Sequence, residues 1–227
     1  MRHRSEEPRF THGGRRVGAG RKPGRRPAVL HRTRPLHLPR HPSHVTVTFR
    51  RTAAGSLREE RIFNVLRRVF LEPKIEGFQV VHHSVQKDHV HLVVEAVDRR
   101  AFSSGMRSLE IRAARRINAL FGRRQGRVIR DRYHRRDLFS AKQVRRALRY
   151  VLLNGAKHGV VGPGQIDRYS SGPWFDGWDA ADLGRWRPPA IGHPAARRPW
   201  TRLLALDWRA LGPISPYEAI RWAPLEP

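Results

Sequence analysis

Two histidines in the segment His89–Val90–His91 have a spacing that favours metal chemistry. In a β-strand, side chains two residues apart project from the same face, with Cα atoms about 6.5–7 Å apart. The two imidazoles would therefore stand side by side and could bind one divalent ion. Val90 and Leu92 occupy the opposite face, which predicts that the histidines face away from the helices that cover the sheet. The alternative interpretation is a pair of hydrogen-bonded sheet histidines without a ligand.

A second candidate group lies in the segment SAKQVRRALRYVLLN, where apolar residues recur at helical spacing. Tyr150 and Asn154 lie one turn apart on the flank of this helix, so a tyrosine nucleophile could act beside a polar metal ligand. A boundary aromatic residue is the alternative for Tyr150, and Tyr133 in the RYH segment is a competing nucleophile. Basic side chains on the solvent side are expected to bind DNA phosphates: Arg145, Arg146 and Arg149, together with Arg132 and Arg135 of the preceding segment.

Hydrophobic periodicity predicts the elements that position these residues. The segment FQVVHHSV and the segment HVHLVVEAV are separated by Gln86–Lys87–Asp88 and should form a hairpin. Its first strand points His82 and His83 to opposite faces, so only one of them could join His89 and His91. The predicted order is strand 44–49, helix 57–71, strands 78–85 and 89–97, helix 101–121, strand 127–138 and helix 141–154.

This β-α-β-β-α-β order followed by a helix predicts an α+β fold. We expect a ferredoxin-like sandwich with an antiparallel four-stranded sheet and a C-terminal catalytic helix. Ser140 is the expected N-cap of that last helix, and Gly155 is expected to end it. The helix is free to cover an edge of the sheet or the face that the other two helices leave open.

Composition predicts a nucleic-acid-binding protein. The 227 residues carry 46 Lys and Arg against 19 Asp and Glu, a formal net charge of +27, so a polyanion is the expected partner. The absence of cysteine excludes disulfide scaffolds, cysteine zinc sites and thiol nucleophiles, and indicates a reducing cytoplasm. No apolar stretch is long enough for a membrane-spanning helix. We therefore expect a cytoplasmic, nucleoid-associated protein without a membrane partner.

Charge and residue usage divide the chain into three parts. Residues 1–43 have no periodicity and are interpreted as a disordered basic arm, in which residues 13–27 (GGRRVGAGRKPGRRP) could enter an A·T-rich minor groove or bind phosphates nonspecifically. Residues 44–158 form the expected catalytic domain. Residues 159–227 contain all six tryptophans among Pro and Gly, and are expected to wrap the domain as an irregular extension with aromatic anchors.

The strand DHVHLVVEA, the segments RDRYHRRDL and RALRYVLLNGAKHG, and the upstream VTVTF strand together resemble the single-tyrosine HUH transposases. The resemblance is closer to the REP-associated tyrosine transposases and covers about residues 44–175. His89–Val90–His91 matches the His–hydrophobic–His motif, and a Tyr-x-x-x-Asn motif follows it. The sequence departs from the family at Asp88, where members often carry Asn or Glu, and at Asn154–Gly155, where they often carry Asn–Pro.

The resemblance implies a metal-dependent endonuclease and strand transferase that acts on single-stranded or hairpin DNA. It assigns Tyr150 as the nucleophile that forms a 5′-phosphotyrosine bond, and His89, His91 and Asn154 as ligands of Mg²⁺ or Mn²⁺. A catalytically inactive, basic nucleic-acid-binding protein derived from such a transposase is the alternative. A homodimer and a monomer are both compatible with the sequence, and the recognised DNA sequence is left open.

Overall fold

The computed structural model describes residues 37–184 and 197–218. Most of the predicted basic arm, up to residue 36, lies outside the described residues, and so do Trp186 and Trp222. Within residues 37–43, which the sequence assigned to the arm, His37 and His41 are buried against the domain. The Nε2 atom of His37 lies 2.9 Å from the carbonyl oxygen of Ala96, and the His41 ring packs edge-on against Phe139.

The described part of the chain contains a four-stranded antiparallel sheet in the order β2-β3-β1-β4, which is the predicted ferredoxin-like arrangement. The two strands of the predicted hairpin are neighbours, and β1 pairs with β3 along its whole length. A register shift between Val80 and His82 inserts a β-bulge in β2. The strands are β1 (Ser43–Thr48), β2 (Phe78–Val85), β3 (His89–Ala96) and β4 (His134–Asp137).

Helices form where apolar residues recur every three or four positions and a polar residue caps the first turn. Asp98 and Ser140 accept hydrogen bonds from the backbone at the starts of α3 and α4, which confirms the N-cap expected at Ser140. The helices are α1 (Arg51–Ala54), α2 (Glu60–Leu71), α3 (Arg99–Leu120), α4 (Ala141–Leu152), α5 (Asn154–Lys157), α6 (Ala180–Leu183) and α7 (Arg202–Ala205), with 3₁₀ turns at Gly172–Trp174 and Asp207–Leu211.

Alternation along the strands gives the sheet two buried faces. Val90 and Leu92 pack with α2 and α3 in the larger apolar cluster. Val93 packs on the other face against α4, in a second cluster that includes Phe175, Trp178 and Trp208 of the C-terminal segment. The helix α4 therefore covers the face that α2 and α3 leave open. Trp178 and Trp208 of the C-terminal extension are buried in the same cluster.

The fourth strand is much shorter than predicted. The sequence indicated a strand over residues 127–138, but the ladder with β1 covers only His134–Asp137. An isolated bridge between Phe49 and Ile129 has a register two residues out of step with that ladder. Two extra residues therefore bulge from the edge between Ile129 and His134, and this bulge ends the regular pairing.

Gly155 does not end the helix α4, contrary to the prediction from the sequence. The helix α4 stops at Leu152 with Leu153 as its C-cap, and Gly155 lies inside the short helix α5. A Cβ atom at Gly155 would lie 2.4 Å from Oδ2 of Asp167, whose carboxylate is held by two hydrogen bonds from Arg58. The glycine is therefore needed for the close approach of Asp167 rather than for a left-handed cap.

Candidate active site

The pairing of β1 with β3 brings a third histidine beside the predicted pair. Thr46 lies opposite His91, and His44 lies opposite Val93, on the sheet face that α4 covers. The Nε2 atom of His44 lies 3.2 Å from Nδ1 of His91, although the two residues are 47 positions apart in the sequence. His82 and His83 lie outside this group, because His82 packs against Phe175 in the second cluster while His83 faces the α2 side.

The histidines of the His–Val–His motif lie edge to face, with ring centroids 4.8 Å apart. Nδ1 of His89 lies 2.9 Å from Oδ1 of Asp88. Nδ1 of His91 is within hydrogen-bond distance of both His44 and the Thr46 hydroxyl, at 3.2 and 3.1 Å. The other ring nitrogen of His91, Nε2, is buried and has no hydrogen-bond partner among the described residues. Both rings are thus oriented through contacts at Nδ1. Metal-binding histidines are commonly oriented by a hydrogen bond at the ring nitrogen that does not bind the metal.

The aromatic ring of Tyr150 packs directly on this histidine group. Its centroid lies 5.1 Å from that of His91 and 5.6 Å from that of His44, and both contacts are edge to face. The ammonium group of Lys157 lies 4.7 Å from the centre of the Tyr150 ring. The tyrosine on α4 therefore lies beside one motif histidine, with a cation over the face of its ring.

Asn154 is fully buried at the start of α5, and neither its side-chain oxygen nor its nitrogen has a hydrogen-bond partner among the described residues. A buried amide without partners costs about 1–3 kcal/mol, so such a group needs an explanation. The predicted helix over 141–154 is interrupted, because α4 ends at Leu152 and Asn154 begins α5, so Tyr150 and Asn154 lie on successive helices.

Burial favours the neutral form of two imidazoles at this site, those of His91 and His44. It lowers the pKa of His91 well below its usual value, and the nearby positive charges of the other histidines and Lys157 lower it further. Burial also lowers the pKa of His44 to about 4, with smaller effects from Arg136 and His134. A neutral imidazole keeps a lone pair, which is the form that binds metal ions.

The chemistry of these donors fits a divalent cation. The buried Nε2 of His91 and the buried amide oxygen of Asn154 both lack a hydrogen-bond partner among the described residues, as unused ligands would. Among the residues that the structure describes, no group of three or more His, Cys, Asp or Glu side chains is placed to hold a metal ion. The predicted set contains only two such residues, His89 and His91, with the amide of Asn154 as its third member.

The arginines assigned to DNA occupy different environments. Arg145 and Arg149 on α4 both pair with Glu218 at 2.9 Å, and Arg145 also donates to the carbonyl oxygens of Gly212 and Pro213. These two side chains hold the C-terminal segment against α4. Arg146 and Arg132 are exposed to solvent.

Strand β4 directs its arginines to opposite faces of the sheet. The side chain of Arg135 is 6% exposed, lies over the Phe102 ring and pairs with Asp137 at 3.2 Å, so it faces the helix-side core rather than solvent. Arg136 lies opposite His44 in the register and lowers the pKa of that histidine by its charge. Arg136 rather than Arg135 is therefore the β4 arginine on the site face.

Residues 43–151, a little under half of the chain, match the family model described as "Transposase IS200 like", so this part of the chain resembles the IS200-like transposases. The matched segment includes the His–Val–His motif and Tyr150, while Asn154 lies three residues beyond its end. A search of curated protein sequences finds no match.

Two solved structures resemble this chain. One is a REP-associated tyrosine transposase bound to a REP hairpin, with 16% identity, a TM-score of 0.49, and coverage of 76% of this chain and 100% of that one. The other is a candidate transposase from Deinococcus radiodurans R1, with 18% identity, a TM-score of 0.35, and coverage of 46% and 83%. In the part of the chain that the structure describes, no helix is long and apolar enough to cross a membrane.

Sequence reasoning missed His44 and Lys157, which complete the surroundings of Tyr150. The alternation His44–Val45–Thr46–Val47 places His44 and Thr46 on the face opposite the valines, so the side of the sheet was predictable. The pairing partner of β1 was not, because nothing in the sequence gives the register between β1 and β3.

Proposed function

We propose that this transposase-like protein is a metal-dependent endonuclease and strand transferase that acts on single-stranded or hairpin DNA in the cytoplasm. The observation that carries the proposal is the contact between Tyr150 and His91 of the His–Val–His motif, with ring centroids 5.1 Å apart. Tyr150 is the nucleophile. His89, His91 and Asn154 hold Mg²⁺ or Mn²⁺, and Mn²⁺ suits the imidazole ligands better.

The reaction exchanges one phosphodiester for another. The Tyr150 hydroxyl gives up its proton and its oxygen forms a bond to the scissile phosphorus, the bond from phosphorus to the 3′-oxygen breaks, and the 3′-oxygen takes up a proton in exchange. The products are a 5′-phosphotyrosine and a free 3′-hydroxyl, and attack by a 3′-hydroxyl on the phosphotyrosine rejoins a strand without a nucleotide cofactor. The metal ion, when bound, polarises the phosphate and neutralises its charge.

The protein groups around Tyr150 have separate roles in this proposal. Lys157, above the tyrosine ring, and Arg136, on the site face of β4, attract the phosphate. Arg146 and Arg132 extend the basic surface toward the flanking DNA. Arg145 and Arg149 contribute to this surface through their charge, while their hydrogen bonds hold the C-terminal segment.

The test is a denaturing gel of the full-length protein incubated with a labelled DNA hairpin that carries single-stranded flanks, in Mn²⁺ or in Mg²⁺. We expect a covalent protein–DNA band that EDTA abolishes and Tyr150→Phe removes. Tyr133→Phe is the matched control, because Tyr133 lies in the helix-side core with its ring 6.1 Å from Phe102. That variant should retain the band.

The same experiment separates the enzyme from a protein that only binds DNA. Retention of the hairpin on a native gel, with no covalent band in either metal, would contradict the proposed reaction and support the binding protein. A band that persists in Tyr150→Phe and disappears in Tyr133→Phe would move the nucleophile to Tyr133.

A further inference from the structure

His44 contacts both His91 and Tyr150 of the proposed site, and it belongs to neither of the predicted motifs. Its Nε2 atom lies 3.2 Å from Nδ1 of His91, and its ring packs edge to face on Tyr150 with centroids 5.6 Å apart. The residue is buried on β1, between β3 and β4. Its position is therefore fixed by the sheet rather than by a loop.

The short distance between the two imidazoles allows only one proton between them. If His91 carries its proton on Nδ1, this N–H is donated to His44 and to the Thr46 hydroxyl, and Nε2 of His91 keeps its lone pair. If His44 carries its proton on Nε2, it donates to Nδ1 of His91, and the proton of His91 must then be on Nε2. The second arrangement would leave His91 unable to bind a metal ion.

We propose that His44 is a positioning residue that accepts the Nδ1 proton of His91, so that the Nε2 lone pair of His91 is held ready for the metal ion. The same ring forms one wall against which Tyr150 packs. This inference rests on the proposed function, because the Nδ1–H tautomer of His91 matters for activity only if Nε2 binds the proposed metal ion. It assigns a role in the site to the first strand, which contributes none of the motif residues.

Two features of the site support this arrangement. Nε2 of His91 is buried without a partner among the described residues, so nothing there competes for its lone pair. The Thr46 hydroxyl also lies 3.1 Å from Nδ1 of His91, so a second group that can accept the Nδ1 proton faces the same ring nitrogen.

The test compares two substitutions of similar length at position 44. In His44→Gln the side-chain amide reaches about as far as the imidazole Nε2 and still offers an acceptor, whereas His44→Met fills the space without a comparable acceptor. His83→Met is the matched control, because His83 is a buried histidine on β2 that faces the α2 side of the sheet, away from this group. Circular dichroism of each full-length variant establishes that it is folded.

The first measurement is the tautomer of His91, from long-range ¹H–¹⁵N correlation of the metal-free protein, with His91→Gln to assign the signals. We expect the Nδ1–H form in the wild type and in His44→Gln, and a shift toward the Nε2–H form in His44→Met. A wild-type His91 that carries its proton on Nε2 would overturn the proposal, even if His44→Met fails to fold.

The second measurement is the affinity for Mn²⁺ alone, by calorimetry. Loss of an orienting partner of a metal-binding histidine weakens binding about 10-fold to 100-fold, which we expect for His44→Met, while His44→Gln and His83→Met stay within a few-fold of the wild type. Equal affinities in His44→Met and the wild type would refute the positioning role. Absence of Mn²⁺ binding and of covalent cleavage in the wild type would instead refute the proposed function.

Discussion

Replacement of His83 should make the protein more resistant to acid. The His83 ring is fully buried on β2 and packs against Phe63 and Phe70, and neither ring nitrogen has a hydrogen-bond partner in the described part of the chain. Burial, with smaller effects from the charges of His82 and Arg67, lowers the pKa of His83 to about 3. The substitution His83→Leu replaces the ring with an apolar side chain of similar volume.

The magnitude follows from proton linkage. In the unfolded chain the histidine has a pKa of 6.5. As the pH falls below 6.5, the unfolded state therefore binds a proton that the folded state does not bind. Stability is therefore complete above about pH 6.5 and is lost as the pH falls toward 3. At pH 5 the loss for one such group is about 2 kcal/mol, which His83→Leu removes. At pH 8 the variant should gain about 1 kcal/mol from the loss of the unpartnered nitrogens.

The assay is urea unfolding at pH 8 and pH 5, followed by tryptophan fluorescence. His82→Leu is the matched control, because burial lowers the pKa of His82 to about 4 while its Nδ1 lies 3.2 Å from the Ser171 hydroxyl. This control should also reduce the acid sensitivity, but it should be less stable than the wild type at pH 8. Equal destabilisation of His83→Leu at both pH values would refute the reasoning.

Two further substitutions test side-chain contacts elsewhere in the domain. Glu95→Gln should destabilise the domain by about 3 kcal/mol in urea unfolding, because both oxygens of the buried Glu95 carboxyl accept hydrogen bonds. The donors are the Gln79 amide, the Trp200 N–H, and the N–H and hydroxyl of Thr201. An unchanged midpoint would contradict this role as the anchor of α7. Gly105→Ala should lower the thermal midpoint, since its Cβ would lie 2.1 Å from the Phe78 ring, and a raised midpoint would show that helix propensity outweighs this clash.

The alternation of polar and apolar residues was enough to predict which sheet face carries the histidines. Val90 and Leu92 lie in the helix-side core, and His89 and His91 lie on the other face, as the pattern required. The same reasoning predicted Tyr150 and Asn154 on one helix over 141–154, but α4 ends at Leu152 and Asn154 begins α5. The face of the sheet depends only on local periodicity, which can be read from the sequence, whereas the end of a helix does not.

The contacts that depend on register and loop conformation were not predictable. His44 reaches His91 only because β1 pairs with β3 in one register. Arg135 was assigned to DNA, but the phase of β4 turns it toward Phe102 and Asp137. That phase follows the bulge after Ile129, and single-sequence patterns contain no signal for such an insertion.

The most direct test of the central claim is mass spectrometry of the covalent product. The protein is incubated with a single-stranded hairpin DNA and Mn²⁺, digested with nuclease and trypsin, and searched for a nucleotide-modified tyrosine. Trypsin cuts after Arg149 and Lys157 and releases YVLLNGAK, whereas Tyr133 is released in the peptide YHR. We predict the modification on YVLLNGAK, at Tyr150. Modification of YHR, or strand cleavage with no modified tyrosine, would contradict the assignment of Tyr150 as the nucleophile.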